Sequence, residues 1–254
     1  MKKICRLVAF VAIVVSGLSA SLKYEVKATL LGKVGEVEIF KNKDSSSVYD
    51  YTIRVRSSGL AALLSGNRRD EMYARGVCNQ GVCISSSLRI ETLKKKKRRS
   101  KEYIFDKKAK SITKRKRSWK NSTLVAESSK KLPYYTRLDP VGLYFAVLRD
   151  LVPRPGSDRE YKIVGVEKAG GKVEMVVPEA DMQKALNKKH GTNGLLMIYM
   201  IVKGEVLGRK NRKVLMAMDK KSGIVEKAWL SSMPVVGTVT IRRISTREPT
   251  PSKK

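Results

Sequence analysis

The chain of 254 residues carries 54 Lys and Arg against 23 Asp and Glu, a formal net charge of +31, and has one histidine. Such a field attracts polyanions and anionic surfaces and repels cationic ligands; charge bears on association and solubility, not on fold. The bland alternative places the surplus of lysine on solvated faces.

The first twenty residues have the layout of a secretory signal peptide: Lys2 and Lys3, an apolar run over 7–15, then the small residues Ser16, Gly17, Ser19 and Ala20. The run is about half of the ~20 residues needed to cross a bilayer, and no later segment resembles a span. A buried N-terminal helix or a permanent anchor is the competing reading. Cleavage is expected after Ala20, or beside it at Ser19 or Ser21, and Cys5 lies too early for a lipoprotein cysteine. The expectation is export to the periplasm or cell envelope of a Gram-negative bacterium. Residues 22–244 then form a single β-rich domain and 245–254 a polar, frayed tail.

From Leu22 the sequence alternates, with Leu22, Tyr24, Val26 and Ala28 on one face and Lys23, Glu25 and Lys27 on the other. A period of two marks a half-buried strand. Gly32 and Gly35 interrupt it before Val37 and Ile39 begin a return strand, and 48–55 alternates again through Tyr49, Tyr51, Ile53 and Val55. Connections this short give antiparallel pairing, because parallel strands need a crossover. After Ser57-Ser58-Gly59, the segment Leu60-Ala61-Ala62-Leu63-Leu64 reads as a one- or two-turn helix closed by Gly66. Strands follow over 68–76 and 86–93.

The run 94–120 holds fifteen Lys and Arg against Glu102 and Asp106. Tyr103, Ile104, Phe105 and Ile112 interrupt it, so it reads as two strands joined by a turn at Asp106-Lys107-Lys108, with the basic residues on the solvent side and flanking the strands. Lys94, Lys95, Lys96, Lys97, Arg98, Arg99, Lys114, Arg115, Lys116 and Arg117 are the candidates for contact with an anionic surface, the alternative being an ordinary solvated face. Residues 121–131 read as a polar connection. Asp139-Pro140 then opens an apolar helix over 140–149, with Asp139 as cap and Pro140 at the first helical position, where a missing N–H costs nothing. Val141, Tyr144, Phe145 and Leu148 share one face of it and are the candidate cavity lining. Pro153 and Pro155-Gly156 end the element, and strands resume over 161–167, 172–177, 194–202, 213–219, 225–231 and 236–244. Expected core positions are Tyr24, Val26, Ile53, Val55, Leu143, Phe145, Leu148, Met216 and Trp229.

Cys78 and Cys83 flank an Asn-Gln-Gly-Val turn, and in an oxidising compartment they read as a local disulfide. Zinc would need two more ligands from a mature chain with His190 alone, and a thioredoxin-like pair would be two residues closer. No metal site, cofactor or nucleotide cofactor is expected: neither a P-loop nor a dinucleotide fingerprint is present. His190 sits in a polar Lys-Lys-His-Gly turn, and nothing in the spacing of Glu102, Asp106, Asp139 and Asp158 selects a carboxylate pair. A non-enzyme is expected.

The chain resembles a family of exported bacterial proteins, the domain of unknown function numbered three-one-zero-eight. The resemblance rests on Tyr24-Glu25-Val26 with Gly32 and Gly35, Ser57-Ser58-Gly59-Leu60, Asp139-Pro140 through Leu148-Arg149, Pro155-Gly156, and Met233-Pro234 followed by Gly237-Thr238-Val239. It implies a curved antiparallel sheet, a half-barrel or open barrel with one or two short helices packed on the concave face, similar to periplasmic lipoprotein carriers. The cysteine pair and the lysine density depart from that pattern.

Three readings of function follow. The first is a non-catalytic binder or carrier of a lipid or lipoprotein-like ligand, its basic rim meeting an anionic head group or membrane surface at about 1 kcal/mol per cation. The second is a polyanion binder, for nucleic acid or acidic polysaccharide, in which the run 94–120 works with Tyr103, Phe105 and Trp119 as stacking surfaces. The third is a structural envelope protein. Steep salt dependence separates the second from acyl-chain burial.

Overall fold

The computed structural model describes residues 21–42, 47–79, 82–152, 154–167, 170–206, 209–233 and 236–244; the signal peptide expected over 1–20, the tail expected over 245–254, Pro153 and Pro234 lie outside them. Strands β1 (Ser21–Ala28), β2 (Gly32–Lys41), β3 (Val48–Ser57), β4 (Arg69–Asn79), β5 (Val82–Lys94), β6 (Lys97–Asp106), β7 (Ser111–Lys120) and β8 (Thr123–Lys131) form an antiparallel meander. A second meander comprises β9 (Asp158–Lys162), β10 (Lys172–Val176), β11 (Leu196–Val206), β12 (Arg209–Met218), β13 (Val225–Met233) and β14 (Gly237–Ile244). Pairing of β1 with β14 joins them into one 14-stranded sheet whose edges are β8 and β9. The expected mainly β, open-barrel architecture is what the chain adopts.

Alternation explains which way the strands face. Leu22, Tyr24, Val26 and Ala28 are buried, as are Tyr49, Tyr51, Ile53 and Val55, while Lys23 and Lys27 point out and meet Glu36 and Glu25 at 3.0 and 2.9 Å. The pairing slips at 26/27, 75/76 and 118/119, and each such bulge adds bend and twist. The sheet curls until its two margins touch through side chains. Lys114 Nζ of β7 lies 2.6 Å from Glu167, just beyond β9, and the Tyr103 hydroxyl of β6 donates to the same carboxylate. The segment between β8 and β9 finishes the closure, with a parallel bridge from Leu138 to Ile163 and a hydrogen bond from Tyr134 Oη to the Ile163 carbonyl at 3.1 Å.

Three helices complete the described structure. Helix α1 (Gly59–Ser65) ends in Gly66 at φ 70°, the left-handed turn expected of it. Helix α2 (Pro140–Asp150) packs on the concave face and closes one end of the barrel; its Asp139 cap accepts from the Gly142 N–H at 2.7 Å. Tyr49 and Tyr51 of β3 pack with tilted rings against Phe145, and Tyr144 Oη donates to the Gly223 carbonyl in the β12–β13 turn at 2.8 Å, so α2 is held from both halves of the sheet. The opposite end includes the β1–β2, β5–β6 and β7–β8 turns and α1, and among the described residues no helix is packed into it as α2 is into the first.

Several expectations are corrected. Residues 121–131 are not a connection but contain β8, every residue of which is exposed; with both faces in water no apolar alternation is needed. Helix α3 (Ala180–His190) was not expected, because Leu186 is its one buried residue and it lacks an apolar stripe. It covers the convex face, where Leu186 packs with Met197, Leu215 and Ala217. The strand expected over 161–167 ends at Lys162. Trp229 belongs to the convex cluster and is half-buried, as are Phe145 and Leu148; Leu143 and Met216 are in the core as expected.

Gly76 shows how tightly this wall is drawn around α2. A Cβ there would lie 2.3 Å from the ring of Tyr49, which is itself buried. Gly76→Ala should therefore lower stability by about 2–3 kcal/mol through overpacking, read as a fall in denaturant midpoint with unchanged slope. An unchanged midpoint would mean that Tyr49 moves aside without cost.

Candidate functional site

The β5–β6 and β7–β8 hairpins place their basic residues by parity. Thr92 and Lys94 on β5 face inward with Leu88, and the register pairs Thr92 with Arg99, Lys94 with Lys97 and Lys97 with Lys120. The concave face that is apolar around α2 thus becomes cationic toward the unplugged end. There a pocket of about 440 Å³ is lined by Arg68, Thr92, Lys94, Lys95, Lys96, Lys97, Arg99, Lys120 and Asn121. Asp70 sits beside it, buried, with its carboxylate 2.8 Å from Arg68 Nε and accepting from Thr92 Oγ1 at 2.5 Å. Lys94, Lys95, Lys96, Lys97, Arg99 and Lys120 make no ion pair with a described residue. The arrangement offers several N–H donors to one compact anion.

The ten basic candidates from the sequence therefore separate. Lys94, Lys95, Lys96, Lys97 and Arg99 come together in the pocket. Arg98 points to the convex side, where it grips Glu91 at 2.8 Å and lies over the Trp119 ring at 4.7 Å. Arg115 and Arg117 are also on that side and share Glu127 at 3.6 and 3.1 Å. Lys116 is exposed, opposite Lys101. Lys114 is no surface group: it is 5% exposed and locked to Glu167 at the seam. Burial pushes its ammonium below the ordinary lysine value despite that partner. Burial alone would raise Glu167, but the hydrogen bonds from Lys114 and Tyr103 outweigh it and hold the carboxyl below its usual range. Sequence reasoning missed Arg68, Thr92, Lys120 and Asn121. The signal for Lys120 was available, since a hairpin turning at 106–111 sets it opposite Lys97.

The cavity candidates on α2 are differently placed. Val141 and Tyr144 are sealed in the core, Phe145 and Leu148 are half-buried against it, and none of the four lines the cationic pocket. Asp139, at the head of this helix, is fully buried. Its backbone N–H donates to Ser85 Oγ at 2.7 Å, and Tyr49 Oη lies 3.1 Å from its carboxylate and 2.8 Å from Ser85 Oγ. Burial pushes its carboxyl up to about 6, against the lowering effect of the Gly142 N–H and the two hydroxyls. The cluster is a capping lock.

A second hollow, of about 450 Å³, lies beside α3 with Lys184, Lys188 and Lys220 among its lining. Two of its amides are committed: Gln183 exchanges hydrogen bonds of 2.8 and 2.7 Å with the Met197 backbone, and Asn187 donates to the Leu195 carbonyl at 2.9 Å. His190 ends α3 with its ring 4.5 Å from that of Trp229, and burial lowers its pKa. Among the described residues no group of three or more His, Cys, Asp or Glu is placed to hold a metal, and no helix is long and apolar enough to cross a membrane. Cys78 and Cys83 face each other across the β4–β5 ladder as a disulfide, with Cα atoms 4.1 Å apart.

This is a barrel-like β protein with an unclosed antiparallel sheet and a basic mouth. Its fold is similar to that of a beta-barrel-like protein of domain of unknown function DUF1849 from Brucella abortus, with a TM-score of 0.51 at 8% identity over 88% of this chain and 94% of that one. No family model and no curated protein matches the chain. The likeness shows the fold, shared with a domain of unknown function.

The raised Asp139 carboxyl has a definite sign. Its folded value of about 6 lies above the ordinary ~3.9, so ionisation penalises the folded state, and the penalty is complete above pH 6 and absent below about pH 4. Asp139→Asn keeps a capping oxygen and removes the titration. Wild type should therefore gain stability relative to Asp139→Asn as the pH falls from about 7 to about 4, by on the order of 2–3 kcal/mol. Denaturant titrations of both proteins across that range check it, and parallel curves would refute it.

Proposed function

We propose that the protein is an exported, non-catalytic binder of an anionic lipid, holding the phosphate-bearing head group in the cationic pocket at the open end of the barrel. The observation that carries this reading is the convergence of seven Lys and Arg side chains on one concavity, with the adjacent Asp70 already engaged by Arg68. A pocket of about 440 Å³ is within the usual size of a small-molecule site. The signal-peptide layout supports a destination at the envelope, where such lipids are met, and the Cys78–Cys83 disulfide is compatible with it. The motif order that resembles the exported family numbered three-one-zero-eight agrees with this assignment.

The head group, not the acyl chain, anchors the proposal, because Val141 and Tyr144 are enclosed by packing around α2. The polyanion reading draws less support. The convex-face guanidiniums that would track a polymer, Arg98, Arg115 and Arg117, are engaged by Glu91 and Glu127.

The test is calorimetric titration with dihexanoyl phosphatidylglycerol, a soluble lipid used below its micelle concentration. Binding is expected, and Lys97→Glu with Arg99→Glu should weaken it at least about tenfold, equivalent to ~1.4 kcal/mol. Arg115→Glu with Arg117→Glu should leave it nearly unchanged. Equal losses from the two pairs, or an oligonucleotide that binds more tightly and depends on Arg115 and Arg117, would replace the lipid reading by the polyanion one.

A further inference from the structure

Three of the most exposed large apolar side chains in the described structure are leucines at the same end of the barrel. Leu30 in the β1–β2 turn is 69% exposed, and Leu60 and Leu63 of α1 are 58% and 75% exposed. Their neighbourhood is continuous. Helix α1 is tied to the start of β2 by the hydrogen bond from Ser58 N–H to the Val34 carbonyl at 3.0 Å. At its other end, Gly66 abuts the rim of the pocket: a Cβ there would lie 2.9 Å from Lys94 Cε and 3.3 Å from Lys95 Cε. Leu60 and Leu63, three residues apart on a helix, share a side.

Single exposed leucines need no explanation, but several on adjacent loops, rimmed by lysine, mark an interaction surface. We infer that this end of the barrel docks on an anionic lipid bilayer, with Leu30, Leu60 and Leu63 entering the head-group and acyl boundary while Lys94 and Lys95 meet the lipid phosphates. Apolar tips beside a cationic rim are complementary to such a surface in both respects, since interfacial binding adds buried apolar area to attraction for anionic lipid. A protein partner would have to match the leucines while supplying a ring of acids at the same spacing. The inference rests on the lipid reading above for the nature of the partner and deepens it: the pocket mouth would open directly onto the leaflet from which its ligand comes.

Docking is tested by flotation with vesicles of phosphatidylcholine containing phosphatidylglycerol, against vesicles of phosphatidylcholine alone. The full mature chain should float with the first and only weakly with the second. The triple variant Leu30→Ser, Leu60→Ser, Leu63→Ser, whose sites are all exposed, should keep the wild-type melting temperature and the affinity for dihexanoyl phosphatidylglycerol. It should lose vesicle binding about tenfold or more. Depth is read with Leu63→Trp and, on α3 away from this end, Met182→Trp: brominated lipid should quench the first above the wild-type background and the second no more than that background. Wild type that binds the soluble lipid but not vesicles, or equal quenching at both positions, would overturn the docking and spare the pocket. Leucine-dependent vesicle binding without affinity for the soluble lipid would do the reverse.

Discussion

A sheet of fourteen strands has two edges, and the shape of this molecule depends on how they are brought together. Backbone pairing does not do it, because β8 and β9 are not hydrogen-bonded to each other. The chain instead leaves one edge at Lys131, passes over the gap through Tyr134 and Leu138, enters the concave face as α2 and returns as the other edge. Asp139 fixes that passage. Its buried carboxylate caps the helix while its backbone N–H is bonded to Ser85 of β5 beside Tyr49 of β3, and Tyr144, one turn on, is bonded beyond β12. The Lys114–Glu167–Tyr103 cluster ties the margins a second time. Both ties draw polar groups out of water, which is costly unless they are satisfied: Asp139 finds its partners on β3, β5 and its own helix, and Glu167 finds Lys114 and Tyr103 across the gap.

Closure of one end by α2 decides what the other end can do. The inward positions near α2 are Tyr103, Ile112 and Leu88, all buried. Further along the same strands the inward positions become Arg99, Lys97 and Lys120, and the concave face changes from packed core to solvated cation cluster within one pair of hairpins. The outward positions of the same hairpins carry fewer cations, and Glu91, Glu102 and Glu127 are interspersed among them. A run that is uniformly basic in sequence thus becomes balanced on one face and unbalanced on the other.

That division explains how much was legible beforehand. Strands with one wet and one dry face, such as β1 and β3, announce themselves by alternation, and α2 by its Asp-Pro opening and apolar face. Strand β8 is wet on both faces and α3 buries Leu186 alone, so neither left a periodic trace; β8 exists because β7 offers it a ladder. Trp229 misled for a related reason. Its strand is covered on both sides, by the core and by α3, so a large aromatic residue did not reveal which cluster it joined. In the basic run the composition was plain, but the basic residues were expected on the solvent side of the strands, and parity turns Lys97, Arg99, Lys114 and Lys120 inward. Lys114, inward opposite Tyr103, is the sharpest case, a lysine among lysines that is buried because the far edge of the sheet, 53 positions on, supplies Glu167. No local pattern encodes that partner.

The energetics of the mouth favour a compact, polyvalent ligand over a simple counterion. Two like charges about 8 Å apart in a water-like dielectric repel by about 0.5 kcal/mol, and several such pairs meet around one pocket. Small ions screen this repulsion within a Debye length but are not held. An anion with two or more negative oxygens relieves many pairs at once and also accepts directed hydrogen bonds from Arg99 and the lysines. An extended polymer gains less here, because the cations converge on a concavity instead of lining a track. On the proposed reading a lipid phosphate at the end of an apolar chain would occupy this concavity, and the exposed Leu30, Leu60 and Leu63 would stand on its rim, at the end opposite α2.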